Sequence, residues 1–161
     1  MEADLGSPQS QKVVPSVPAG SLRRMGPDQQ QGYPFTPRSA TALTVGDLIP
    51  VQGDTAGWAC LQVLELAPRA RSYFIVGLLD WRGSLPPGPA DVRAAAPLRR
   101  AMTRIEVFTE GGLEVVGNSA PADEGQERFF GPGYIGKRTQ TWGWIAAVTR
   151  GKRQADGLEA L

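Results

Sequence analysis

The chain reads as a mostly all-β fold: a small, strongly bent antiparallel sheet or SH3-like barrel with long loops and a disordered N-terminal arm. Three observations lead there. From Thr41 onward, short apolar runs are punctuated by turn residues at regular spacing, giving about six short strands. Glycine (20) and proline (14) exceed a fifth of the 161 residues, a loop-rich composition. The length suits one core, because a folded portion of about 120 residues buries roughly two-thirds of its unfolded surface without staples.

Three regions follow from composition: an arm over 1–40, a β domain over 41–150 and a short tail over 151–161. The arm holds six of the fourteen prolines, the run Gln29-Gln30-Gln31 and few aliphatics. Such a stretch buries too little apolar surface to offset its ordering entropy. The first strand is expected over 43–51, with a turn or bulge at Gly46-Asp47 and an edge position at Pro50, which lacks an N–H for a central ladder. After the turn Gly53-Asp54-Thr55-Ala56-Gly57 comes a second strand, Trp58 to Leu66. A third runs from Ser72 to Asp80, the most apolar run and so an interior one covered on both faces. The segment 81–97, with four prolines, is too long for a hairpin loop and reads as a functional or mobile insertion. Next, 102–109 and 113–117 are expected to form a hairpin closed by Glu110-Gly111-Gly112, since paired glycines supply the positive φ a tight turn needs. A last strand is expected over 139–149.

The chemistry this sequence excludes is broad. Without histidine there is no Ser-His-Asp or Cys-His nucleophile and no imidazole metal site. The lone Cys60 forms no internal disulfide, and inside an apolar strand it behaves as a small hydrophobe with a raised pKa. Gly131-Pro132-Gly133 lacks the Lys-Ser/Thr of a phosphate-cradling loop. The carboxylates of Asp47, Asp54, Asp80, Glu106 and Glu114 have no spacing that pairs them. The expectation is a non-enzyme with no cofactor and no metal. A net charge of +1 offers no global field for nucleic acid or an anionic membrane. No run reaches the roughly 18 apolar residues of a membrane span, and the acidic opening is no secretory signal, so the expected location is cytoplasmic.

Two constellations carry binding chemistry. Asp80, Trp81 and Arg82 mark the exit of the third strand into the proline-rich insertion, which also carries Arg93. Trp and Arg are enriched at interface hot spots, and a proline-stiffened loop loses less entropy on docking. The plain alternative is that Trp81 caps the core. The second constellation is Lys137, Arg138, Trp142, Trp144, Arg150, Lys152 and Arg153, cations bracketing aromatics as in a single-strand nucleic-acid track. In a strand Trp142 and Trp144 share one face, where the plain alternative is again the core.

The order of Val45-Gly46-Asp47-Leu48-Ile49-Pro50-Val51, Leu61-Gln62-Val63-Leu64, the apolar 73–79 strand, the proline-rich insertion, Ile105-Glu106-Val107-Phe108 and Leu113-Glu114-Val115-Val116-Gly117-Asn118 resembles the immunity protein 26 family of bacterial polymorphic-toxin systems. The resemblance spans 43–118, and neither the arm nor Trp142-Gly143-Trp144 belongs to it. It implies an all-β cytoplasmic protein that neutralises a cognate protein toxin by binding it. The matching Gly46, Asp47, Pro50 and Gly117 read as turn and bulge positions. The leading expectation is therefore a non-catalytic inhibitor that occludes a toxin. The alternatives are a small nucleic-acid-binding barrel and a subunit of a larger assembly.

Overall fold

The computed structural model describes residues 32–122, 128–131 and 138–158. The chain divides into units 1–32 and 33–161, and the architecture below is that of the second. Over 1–31 the expected arm lies outside the described residues. Residues 33–40, read as arm from their prolines, belong to the folded unit. Phe35 and Val115 exchange backbone hydrogen bonds (3.0 and 2.9 Å), and Pro37 and Ala40 are buried.

The fold is mostly β. Strands β1 (Asp47–Gln52), β2 (Trp58–Leu66), β3 (Tyr73–Leu79), β4 (Pro97–Arg104) and β5 (Gly117–Asn118) form one antiparallel sheet in the order β4-β3-β2-β1-β5. The barrel alternative is not realised, because the sheet stays open. Two α-helices, α1 (Glu106–Thr109) and α2 (Trp144–Ala155), and a 3-10 turn at Ala40–Ala42 complete the unit. Among the described residues no helix is long and apolar enough to cross a membrane.

Period-2 alternation sends side chains to two faces. Ile49, Val51, Leu61, Val63, Phe74, Val76 and Leu78 join the larger core with Phe108, Trp142 and Ala147. Leu48, Cys60 and Leu79 join Val92 in a smaller core on the other side. Strand β3 is interior and buried over six of its seven residues, as its apolar run implies. Pro50 also sits where proline chemistry requires. Strand β5 pairs β1 only at Asp47 and Leu48, so Pro50 lies on the uncovered stretch of that edge.

The hairpin and the last strand are corrected. Strand β4 starts at Pro97 and ends at Arg104, and residues 106–109 turn into α1. Val107 and Phe108 are both buried; consecutive strand residues would face opposite sides, whereas one helical turn lets both reach the same core. The glycines close that turn: Gly111 N–H donates to Glu106 O (2.8 Å) and Gly112, at φ +74°, donates to Phe108 O (3.1 Å). Residues 116–118 then pair with the start of β1, Val116 N–H donating to Leu48 O (3.0 Å).

Residues 144–155 are helical, so the domain runs past 150 and the expected tail forms most of the last helical turns. Ala147, Gly151, Gln154 and Ala155 are its buried positions, a helical repeat of three to four residues. A Cβ on Gly151 would lie 2.7–2.9 Å from the Val51 side chain, so glycine sets how closely α2 approaches β1. At the C-terminus Gly157 (φ +78°) donates to Gln154 O (3.0 Å) and Leu158 to Arg153 O (2.7 Å). This is the paired closure of a Schellman end.

Candidate interaction surface

The insertion is pinned at its ends and exposed in between. Asp80 N–H donates to Ala96 O (2.8 Å), and Trp58 and Gly83 exchange backbone bonds (2.8 and 3.0 Å), which adds one bridge at the start of β2. Val92 is buried in the smaller core, and Asp91 accepts the Gly88 N–H (2.8 Å), tightening the turn that carries it. Trp81 is half-buried against the same core, with its ring held beside Gly83. Arg82, Leu85, Pro86 and Arg93 remain exposed, Leu85 at 73%.

The four residues singled out at 80–93 do not converge. Trp81 packs inward, Arg82 lines an open cleft of about 520 Å³ with Thr55 and Ser84, and Arg93 lines a separate recess beside Ser119. Behind the Arg82 cleft, the Asp156 carboxylate ties the end of α2 to the β1–β2 turn. It accepts from Asp54 N–H (3.1 Å), Thr55 N–H (3.0 Å) and Thr55 Oγ1 (2.7 Å). The Thr55 hydroxyl, then the two backbone N–H groups, and lastly the Arg82 charge hold its pKa below the ordinary value.

The basic and aromatic segment is dispersed. Lys137 lies outside the described residues. Trp142 is 3% exposed with the Arg150 guanidinium 5.1 Å from its ring centroid, and Trp144 is half-buried against the larger core. Neither presents an open stacking face. Lys152 approaches Asp54 (3.9 Å) and Arg153 donates to Leu158 O (2.9 Å). Arg138 alone joins a recess of about 230 Å³ with Arg100 and Arg128. At its base the buried Glu65 accepts from Arg100 Nη2 (3.0 Å) and from the Phe129 and Phe130 N–H groups (2.8 and 2.9 Å).

A third concavity was not anticipated. A groove of about 390 Å³ lies between the β1–β2 hairpin, the insertion and the 112–116 segment, walled by Pro50, Trp58, Pro86, Leu113 and Val116. Gln52 and the Trp58 indole are its hydrogen-bonding side chains and Glu114 its charged one. The sequence did hold one signal for it. Pairing of the first two strands about the 53–57 turn sets Gln52 opposite Trp58 and Pro50 opposite Cys60.

Cys60 is fully buried, and desolvation pushes its thiol up to about 12 despite a hydrogen bond with the Ile49 backbone. Asp47 is buried and structural, accepting from Thr44 N–H (2.8 Å) and Asn118 Nδ2 (3.0 Å). Among the described residues no three His, Cys, Asp or Glu side chains cluster as metal ligands. Gly46 (φ +98°), Asp47 and Gly117 meet at the β1–β5 junction. Comparison with protein-family models, with curated proteins and with solved structures finds no match for the chain.

Proposed function

We propose that the protein is a non-catalytic protein-binding module whose contact surface is the insertion and the groove beside it. The observation that carries this reading is the apolar groove walled by Pro50, Trp58, Pro86, Leu113 and Val116, with the 73%-exposed Leu85 preceding the wall residue Pro86 in the chain. An apolar concavity with a protruding aliphatic and the exposed Arg82 nearby in sequence has the make-up of an interface centre with a polar rim. The toxin-occluding version of this reading rests on the motif order of 43–118. A rigid sheet with such a surface suits stoichiometric occlusion, in which the module covers a partner's active site. The nucleic-acid reading is the weaker one, because Trp142 is inside the core and the cations around it diverge.

The test is partner capture from source-cell lysate with the wild-type full chain, with and without nuclease, followed by titration of the purified partner. Leu85→Asp with Arg82→Glu changes only exposed side chains. The expected result is a protein partner that survives nuclease and high salt, bound at least tenfold more weakly by the double variant at an unchanged melting temperature, an effect on the order of 1.4 kcal/mol. Capture that vanishes with nuclease, or equal affinity in the variant, overturns the proposal.

A further inference from the structure

We infer that the groove takes a proline-rich segment of a partner in the polyproline-II conformation, with a lysine or arginine beside the prolines. This rests on the protein-binding reading and names the chemistry of the partner.

The sheet edge beside the groove disfavours an added β-strand. Leu48 turns its carbonyl outward and accepts the Val116 N–H (3.0 Å). In a strand the next residue facing that edge is two positions on, and here it is Pro50, which has no N–H. A β-strand ligand added alongside Pro50 loses a ladder bond where it would align, and main-chain bonds are what give strand addition its affinity. A polyproline-II ligand asks for no ladder. Its backbone makes no internal hydrogen bonds, and its outward carbonyls need only scattered donors.

The groove supplies such donors among apolar walls. Trp58 carries an indole N–H that has no hydrogen-bond partner among the described residues, and Gln52 carries an exposed amide. Pro50, Pro86, Trp58 and Leu113 offer flat apolar surfaces of the kind on which pyrrolidine rings stack. A preformed polyproline-II helix also loses little entropy on docking, which suits an open groove.

Charge decides what else the ligand carries. Glu114 is the charged residue lining the groove; it is exposed, and no cation among the described residues pairs with it. A cationic residue flanking the prolines meets this carboxylate, and an acidic one is repelled.

The experiment titrates the full chain into a fluorescein-labelled ten-residue peptide with two Pro-x-x-Pro repeats and a terminal arginine, read by anisotropy. Three further peptides replace the prolines by alanine, the arginine by glutamate, or both. Saturable binding that falls at least tenfold for the alanine peptide is expected. Glu114→Lys weakens the arginine peptide by about tenfold and strengthens the glutamate one, the reversal expected of a direct charge pair. Trp58→Phe keeps the apolar wall, removes the N–H and also weakens binding. No binding at millimolar protein, equal binding of the alanine peptide, or indifference to Glu114→Lys overturns the inference. A captured partner lost by Leu85→Asp with Arg82→Glu but retained by Glu114→Lys and Trp58→Phe refutes the groove chemistry while the protein-binding reading stands.

Discussion

The segments 80–97 and 138–158 have similar credentials in sequence, each holding both tryptophan and arginine, yet the structure uses them in opposite ways. The second becomes cover. It lays α2 on the sheet through Ala147, Gly151, Gln154 and Ala155 and seats Trp142 in the larger core. The first becomes surface. It anchors itself with Val92 and Trp81 against a core of four buried residues and leaves Arg82, Leu85 and Pro86 outside. Tryptophan and arginine in one segment mark an interface only where the backbone leaves the side chains unburied. That depends on how much apolar sheet lies beneath the segment.

This comparison can be broken by substitution, and the largest effect is expected at the cover. Gly151→Leu forces a side chain into the space held by Val51 and separates α2 from β1. The expected loss is about 3 kcal/mol, measured by urea unfolding, the upper part of the range for overpacking. Adding Val51→Ala to Gly151→Leu recovers part of that loss, a non-additivity that identifies the contact. A Gly151→Leu protein as stable as wild type would mean that α2 does not press on β1.

A smaller effect is expected where the insertion touches the core. Trp81→Ala removes a half-buried ring from the smaller core, with an expected cost of about 2 kcal/mol, below the range for fully buried aromatics. Substitutions at exposed Arg82 and Leu85 should stay within about 0.5 kcal/mol. Partner binding should show the reverse order, so comparing unfolding with affinity for both sets separates packing from recognition. If Leu85→Asp proved as destabilising as Trp81→Ala, the insertion would be cover as well.

The smallest effect concerns the tie between the end of α2 and the β1–β2 turn. The Asp156 pKa is lowered in the folded state, so its contribution to stability is fully present above the ordinary carboxylate value of 3.8 and is lost as pH falls through the folded value. Asp156→Asn should therefore flatten the acid limb of the stability profile below that pH and leave the slope near neutrality unchanged. An acid limb identical to wild type would show that Asp156 does not hold the Asp54–Thr55 turn in solution.

Much of the sheet was legible from the residues. Strands β1 to β3, the interior place of β3 and the edge place of Pro50 follow from local alternation and from proline's missing donor, and these act over a few residues. The part of the site at 80–93 was visible as a proline-rich insertion. The groove was not, because Trp58, Pro86 and Leu113 are far apart in sequence and meet only when pairing of 116–118 with β1 brings the 112–116 segment to the same face.

Residue chemistry alone thus accounts for the β character of the chain, the absence of histidine chemistry and the proline-rich insertion. The helices at 106–109 and 144–155 are products of long-range packing. Trp144, Ile145, Val148 and Thr149 carry ordinary strand propensity, and such weak local preferences yield to packing. With Gly151 opposite Val51, a helix can approach the sheet closely enough to bury Ala147 and Ala155, and burial of that face outweighs the local preference of the segment.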